Sequence, residues 1–176
     1  MVIRKSCSEC NSPVEKMATI KSPYHFVDSG LRNVYLAGIR YWECEDCGKQ
    51  AAEIPALKDL MVKIARLVVA QESHLSGDEI RFLRKRLAKK SADFAKIIGV
   101  TPEQITRWEK GNNPPSESAD KLIRVFYCLL SNDATLVDKV MKHVDAWLAT
   151  LPGDEVAYNF QAELHDHTWA AEPVPA

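Results

Sequence analysis

Four cysteines are the residues of this chain whose types and spacing point most directly to chemistry. They form two Cys-x-x-Cys pairs, Cys7 with Cys10 and Cys44 with Cys47, in the N-terminal part of the 176-residue sequence. Four thiolates suit tetrahedral zinc, and a site whose four ligands all come from protein leaves no coordination position open for water. The spacing therefore predicts a structural Zn²⁺ site rather than a catalytic one.

Other uses of cysteine and histidine are weighed against this prediction. Cys-x-x-Cys also serves in redox-active dithiols, although no βαβ pattern surrounds either pair. The fifth cysteine, Cys128, lies in an apolar helical stretch and is expected to be a small buried core residue. His165 and His167 lie in an acidic segment, where we expect solvent-exposed side chains rather than a second metal site.

A helix-turn-helix signature follows, running from Ser91 to Gly111. Ser91 is expected to cap the first helix, and Gly99 supplies the turn conformation. Thr101 caps the second helix, with Pro102 at its first position, which fixes where that helix begins. The first turns of the second helix are thereby aimed into the major groove of duplex DNA.

The exposed residues of the second helix are the candidates for base contacts: Glu103, Gln104, Thr106 and Arg107. Arg107 can form two hydrogen bonds with guanine, and Gln104 can do so with adenine. Trp108 is expected to pack against the domain, and Glu109 to pair within it.

Basic and polar side chains flank this helix and are expected to contact phosphates: Arg84, Lys85, Lys89, Lys90, Lys96, Lys110 and Asn112, with Arg86 among them. A solvated helical face is the alternative for the basic members. Phosphate contacts make affinity fall steeply with salt. Removing Arg107 should erase sequence preference, whereas removing Lys89 should weaken binding to all duplexes alike.

The distribution of charge supports this placement. The whole chain carries a net charge of −1, but residues 56–130 carry fourteen basic and nine acidic side chains, and residues 131–176 carry two and eight. The middle segment is therefore expected to face DNA. No apolar run is long enough to span a membrane, and no secretory signal begins the chain, which predicts a cytoplasmic protein.

The elements that must position these residues follow from hydrophobic periodicity. Short strands are predicted at residues 34–36 and 39–42, and an amphipathic helix begins at Leu57. A Ser-x-x-Glu capping box, Ser76 with Glu79, starts the next helix. After the helix-turn-helix, helices are predicted from Ser116 and over residues 135–151, and the last segment is expected to be a mobile tail with at most one short turn near residues 158–165.

The fold class predicted is α+β: a small zinc-stapled β module followed by an all-α helix-turn-helix domain with an extra C-terminal helix. The predicted segments are a zinc-binding module at 1–54, a linking helix at 55–75, a helix-turn-helix domain at 76–130, a C-terminal helix at 131–152 and an acidic tail at 153–176. The C-terminal helix is expected either to form the dimer contact or to complete the domain core.

The sequence resembles the MqsA-type antitoxin family over about residues 5–130. The resemblance lies in the motifs at residues 7–10, 24–26, 30–34, 36–39 and 41–48, and in the Xre-type helix-turn-helix that ends with Arg-Trp-Glu-Lys-Gly-Asn at 107–112. It implies a homodimer that binds a palindromic promoter and represses its own operon, with the zinc module available to a ribonuclease toxin. It also implies that the four paired cysteines hold zinc and that Arg107 reads bases, while Glu103 stands near a base-reading asparagine of the family.

Two functions remain in competition at this stage. The first is a DNA-binding repressor that is the antitoxin of a type II toxin-antitoxin operon. The second is a zinc-containing helix-turn-helix regulator with no toxin partner. A redox or zinc enzyme is the third class considered, but the sequence offers no open ligand position, paired carboxylates or Cys/His arrangement, so no enzyme is predicted.

Overall fold

The computed structural model describes residues 6–13, 17–20, 23–137, 158–165 and 168–175. The described strands are β1 (Met17–Ile20), β2 (Tyr24–His25), β3 (Val34–Ala37), β4 (Arg40–Cys44), β5 (Gln50–Glu53), β6 (Tyr158–His165) and β7 (Thr168–Pro175). The described helices are α1 (Leu57–Ala70), α2 (Gly77–Arg86), α3 (Ser91–Ile98), α4 (Pro102–Glu109) and α5 (Glu117–Leu130). This architecture confirms the predicted α+β class.

A three-stranded antiparallel sheet, in the order β1-β4-β5, carries the second cysteine pair. Met17 lies opposite Cys44 in the β1–β4 register, and Arg40 lies opposite Glu53 in the β4–β5 register. The strands that the sequence predicts at residues 34–36 and 39–42 correspond to β3 and β4. The sheet therefore delivers the last residue of β4, Cys44, to the start of the second cysteine turn.

A second, four-stranded sheet has the order β2-β3-β6-β7, so it joins the two ends of the chain. Strand β6 pairs in parallel with β3 and in antiparallel with β7, with Val34 opposite Phe160. The prediction of a mobile tail is wrong for residues 158–165 and 168–175. The inward side chains of Phe160 and Ala162 alternate with the outward Glu163, which is the period of a half-buried strand.

Helix α1 lies between this sheet and the other helices. Leu60, Ile64 and Val68 on one side of α1 are fully buried, as the apolar stripe predicts, whereas Leu57 in the first turn is 45% exposed. From β7, the buried indole of Trp169 donates from Nε1 to the carbonyl of Pro55 at 2.9 Å. The C-terminal hairpin therefore packs against the start of α1 and extends the sheet that contains β3.

A buried arginine of α5 joins that helix to the end of α1. Arg124 pairs within α5 with Asp120, and these fully buried side chains meet at 2.6 Å between Nε and Oδ2. Arg124 also donates to the carbonyl of Val69 in the last turn of α1 and to those of Gln71 and Ser73 in the segment after it. Because a buried charge is tolerated only when its hydrogen bonds are satisfied, this cluster holds the loop between α1 and α2 in one conformation.

The predicted C-terminal helix falls mostly outside the described residues. Residues 134–137 are helical, and residues 138–157 are not described. Where α5 ends, Asp133 accepts two bonds from Arg66 of α1, at 2.7 and 2.8 Å. Across the described part of the chain, no helix is both long and apolar enough to cross a membrane.

Candidate metal centre and nucleic-acid interface

Each cysteine pair lies on a tight turn with the same backbone pattern. The carbonyl of Cys7 accepts from the N–H of Asn11 at 3.0 Å, and the carbonyl of Cys44 accepts from the N–H of Gly48 at 2.8 Å. Asn11 and Gly48 both have a left-handed backbone, with φ of 60° and 69°. Glycine adopts this conformation without strain and asparagine tolerates it, so the sequence builds the same turn twice.

The four sulfur atoms converge on one point. The Sγ atoms of Cys7 and Cys47 are 3.6 Å apart, those of Cys10 and Cys44 are 3.5 Å apart, and all four lie within 4.8 Å of one another. All four cysteines are free of disulfide bonds. Tetrahedral coordination at the usual Zn–S length of about 2.3 Å would separate the sulfurs by about 3.8 Å. The four cysteines therefore form a group that can hold a metal ion, and the donor set fits zinc.

Hydrogen bonds favour the thiolate form of two of the four cysteines, Cys7 and Cys10. The hydroxyl and backbone N–H of Ser12 lower the pKa of the Cys10 thiol to about 6, and the backbone N–H groups of Cys10 and Glu9 lower that of Cys7. The N–H of Lys49 also favours the Cys47 thiolate, but desolvation and the neighbouring sulfurs outweigh it and raise that pKa to about 12. The neighbouring sulfurs thus oppose ionisation of Cys47, and a bound cation would relieve this repulsion.

Ser12 joins the two turns to each other. Its hydroxyl lies 2.9 Å from the Sγ of Cys10 and also within hydrogen-bonding distance of the carboxylate of Asp46, which lies between the two cysteines of the second pair. The single hydroxyl proton can serve only one of these two acceptors at a time. The side chain of Ser12 is buried. Sequence reasoning identified the four sulfurs but missed Ser12 and Asn11, because their roles depend on the contact between two turns far apart in the sequence.

The helix-turn-helix is built from α3 and α4. Gly99 ends α3 with a left-handed φ of 81°, and the side chain of Thr101 accepts from the N–H of Gln104 at the start of α4, as predicted. The predicted cap of α3 is one residue off, because Ser91 is already helical and Lys90 occupies the capping position without a side-chain bond. These turns fix the angle between the two helices.

The inner side of α4 is held firmly against α2. Trp108 is 3% exposed and packs into the core. The carboxylate of Glu109 accepts two hydrogen bonds from the guanidinium of Arg84, from Nε at 2.5 Å and from Nη2 at 2.9 Å. Arg81 donates to the backbone carbonyl of Glu109. At Gly77, a Cβ atom would lie only 2.4 Å from the Trp108 carbonyl, so α2 and α4 approach as closely as they do because residue 77 is glycine.

The bonds that Arg81 and Arg84 of α2 make to Glu109 of α4 form a clamp between the two helices, and this clamp changes the role predicted for Arg84. The side chain of Arg84 is 12% exposed, and its guanidinium also donates to the carbonyl of Lys89 at 2.8 Å. All of these bonds are internal to the domain, so we leave Arg84 out of the proposed phosphate-binding set. Sequence reasoning expected Glu109 to pair within the domain but did not find Arg84 as its partner, since no local pattern links the two.

The outer side of α4 presents polar side chains. Glu103, Thr106 and Arg107 are exposed, whereas Gln104 is half-buried. The Thr106 hydroxyl donates to the carbonyl of Pro102 at 2.9 Å, which leaves its methyl group as the outward-facing part. The carboxylate of Glu103 accepts from its own backbone N–H and from the Thr101 hydroxyl, and with Arg107 nearby its pKa is lowered.

The other predicted phosphate contacts lie around these two helices. Lys96 is exposed on α3, and Lys110 and Asn112 are exposed just beyond α4. Lys85 and Lys90 are also exposed, and Lys89 is half-buried. The structure thus leaves the predicted phosphate-binding lysines exposed or half-buried in α2, before and within α3, and just beyond α4.

Residues 80–127 match the helix-turn-helix family model. The match confirms the helix-turn-helix that the sequence predicts and supports a DNA-binding transcription regulator. Proteins of this class are not typically enzymes. No curated protein and no solved structure matches the chain.

Proposed function

We propose that this chain is a sequence-specific repressor that binds an inverted-repeat promoter through the helix at residues 102–110. The observation that carries the proposal is the two-sided character of α4. Trp108 and Glu109 fix its inner side to the domain, while Arg107 stands exposed on its outer side. A helix that is rigidly held and polar on its free face suits readout of base edges in the major groove.

In this proposal the candidate base contacts are Glu103, Gln104, Thr106 and Arg107, and the candidate phosphate contacts are Lys85, Lys89, Lys90, Lys96, Lys110 and Asn112. The exposed lysines among them form a rim around α4. Phosphate contacts of this kind set the register of a protein on the duplex but carry no sequence information. We therefore assign sequence preference to α4 and salt-dependent affinity to the rim.

We further propose that the repressor is a homodimer, because an inverted repeat is read by a two-fold symmetric protein. Leu122, Val125, Phe126 and Leu129 lie on one side of α5 at helical spacing, and Leu122 and Leu129 are 41% and 50% exposed. Val125 and Phe126, between the two leucines in sequence, are half-buried. Exposed leucines at helical spacing are a feature of protein interfaces. The α5 stripe is thus a candidate for the dimer contact, alongside the predicted helix at 135–151, most of which lies outside the described residues.

The metal group is assigned a structural role. Four protein sulfurs complete a tetrahedral zinc shell, so a bound Zn²⁺ would have no position open for a substrate or water. In β4 and β5, whose side chains the structure describes, Tyr41 at 3% exposure is the one buried apolar side chain besides Cys44. Binding of zinc would therefore supply much of the free energy that folds this part of the lobe.

For the cysteine-containing lobe we propose a protein partner, a ribonuclease-type toxin, which would make the chain the antitoxin of a type II operon. The support is the resemblance to the MqsA-type family and the acidity of the C-terminal hairpin of this lobe, whose strands contain Glu163 and Glu172 but no lysine or arginine. An acidic surface suits an RNA-binding partner, which is basic. The alternative is a regulator without a toxin, in which this lobe only supports the fold.

A binding experiment with matched variants tests the DNA-binding proposal. Fluorescence anisotropy would compare a duplex from the promoter of this gene with a shuffled duplex. The parent should prefer the promoter, Arg107→Ala should bind the two duplexes equally, and Lys96→Ala should weaken both. Arg40→Ala, which removes an exposed arginine of β4 in the other lobe, is the control and should behave as the parent. Equal binding of both duplexes by the parent would refute the proposal.

The antitoxin function needs a separate experiment. Co-purification with the product of the neighbouring gene should yield a complex, and the complex should form with the Arg107→Ala variant as well, because the proposed toxin surface lies on the other lobe. A neighbouring product that neither binds the chain nor cleaves RNA would favour the regulator without a toxin.

A further inference from the structure

The carboxylate on the exposed face of α4 carries an inference that rests on the proposed function and makes it more specific. Glu103 lies at the second position of α4, is exposed, and stands four residues before Arg107. Side chains four residues apart on a helix lie on the same face, with their Cβ atoms about 5–6 Å apart. The two side chains can therefore reach neighbouring base pairs of one half-site.

The local structure holds the Glu103 carboxylate in its ionised form. It accepts hydrogen bonds from its own backbone N–H and from the hydroxyl of Thr101, which in turn accepts from the N–H of Gln104. An ionised carboxylate has only acceptors, so it can pair only with a hydrogen-bond donor on the DNA.

Major-groove chemistry then selects one base. Guanine presents two acceptors there, thymine presents an acceptor and a methyl group, and adenine presents its amino donor directly beside the N7 acceptor. Cytosine presents only the 4-amino donor. Phosphates repel the carboxylate, so Glu103 does not contribute to binding that is independent of sequence.

We infer that Glu103 is a specificity-determining residue that accepts a hydrogen bond from the 4-amino group of a cytosine, within two base pairs of the guanine that Arg107 contacts. Arg107 and Glu103 attract each other in the free protein. On binding, this attraction is replaced by hydrogen bonds of Arg107 to guanine and of Glu103 to cytosine. The half-site is therefore expected to contain a second C·G base pair within two base pairs of the one whose guanine Arg107 contacts.

Binding-site selection from a randomised duplex library tests the assignment, with the full-length chain, Glu103→Gln and a matched control. Asp93→Asn removes one exposed carboxylate from the first turn of α3 and is the control. The parent and Asp93→Asn should select the same half-site, with cytosine beside the guanine. Glu103→Gln should keep the guanine but lose the cytosine in favour of adenine, to which a glutamine can form two bonds.

Affinity measurements on single duplexes give the second readout. Replacing the selected cytosine by adenine should weaken the parent by at least about fivefold, the low end of the usual penalty for one mismatched base pair. The same replacement should strengthen binding by Glu103→Gln or leave it unchanged.

Three results would overturn parts of this account, and they can be told apart. A parent half-site without a second C·G pair near that guanine contradicts the assignment of Glu103, as does a cytosine at that second pair that Glu103→Gln still selects equally well. A parent chain that enriches no sequence at all refutes the proposed function itself. Because Glu103 is exposed, we expect Glu103→Gln to fold as the parent does, and its circular dichroism spectrum checks this.

Discussion

The clamp between α2 and α4 makes a quantitative prediction for the substitution Glu109→Gln. The carboxylate of Glu109 is 9% exposed and accepts two bonds from Arg84, whose side chain is 12% exposed. The substitution keeps the shape of the side chain and one acceptor oxygen but removes the charge. The guanidinium of Arg84 then stays in a poorly solvated position without its counter-ion.

The expected loss of stability follows from this geometry. Removing one partner of a buried ion pair typically destabilises a protein by about 3–5 kcal/mol. Arg84 retains its bond to the Lys89 carbonyl and has some contact with solvent, so the loss for Glu109→Gln should be smaller, about 2–3 kcal/mol. With a urea m-value of about 1–3 kcal/mol per molar, the midpoint of unfolding should fall by roughly 1 M.

Urea unfolding followed by far-UV circular dichroism measures this shift. Glu117→Gln is the matched control, because Glu117 pairs with Lys121 on the surface of α5 and its side chain is 64% exposed. A surface pair of this kind contributes little to stability, so the control should unfold with the parent. An unfolding midpoint for Glu109→Gln that coincides with that of Glu117→Gln would refute the reasoning, since burial would then make no difference to the pair.

Three further predictions concern other parts of the chain. Trp169→Ala should destabilise the protein by about 3–5 kcal/mol in thermal or urea unfolding, because it empties a buried site between β7 and α1; a loss no larger than that of an exposed substitution would contradict the packing of the C-terminal hairpin. A zinc-release assay with a chromogenic chelator should find one metal ion per parent chain and none in Cys44→Ser, and equal metal content would contradict the four-sulfur site. The Arg66 guanidinium lowers the pKa of Asp133 below its usual value. The ion pair should therefore stabilise the fold fully at pH values above the pKa of Asp133 in the unfolded chain. This stabilisation should be lost as the pH falls through the lower pKa of the folded state. The stability difference between the parent and Asp133→Asn should therefore be constant near neutral pH and shrink only below about pH 4; a difference that grows on acidification would contradict the ion pair.

Features that depend on neighbouring residues could be predicted from the sequence. The capping box of Ser76 and Glu79 forms as predicted, with both reciprocal bonds present. Thr101 caps α4, and Gly99 takes the left-handed conformation that the turn needs. The spacing of the cysteine pairs likewise predicts the convergence of four sulfurs. Each cap, the Gly99 turn and each Cys-x-x-Cys pair is encoded within a few residues of the chain, so it depends little on distant contacts.

Features that depend on distant residues could not be predicted in the same way. The partner of Trp169 is the carbonyl of Pro55, 114 residues away, and β6 is added in parallel beside β3. The alternation of Phe160, Gln161 and Ala162 is the strand signal, but it lies in an acidic, proline-containing segment whose composition favours a tail. The pairing of Arg84 with Glu109 is also a tertiary contact. From the sequence alone, Arg84 therefore cannot be distinguished from the exposed basic residues beside it.

The central claim is that two copies of α4 enter successive major grooves of a duplex, and hydroxyl-radical footprinting on the promoter of this gene tests it most directly. The account predicts two protected segments related by an inverted repeat, with centres about 10–10.5 base pairs apart, or a multiple of that spacing. Both segments should be lost with Arg107→Ala. A promoter that shows no protected segment, or a single asymmetric one that Arg107→Ala leaves unchanged, would contradict the account.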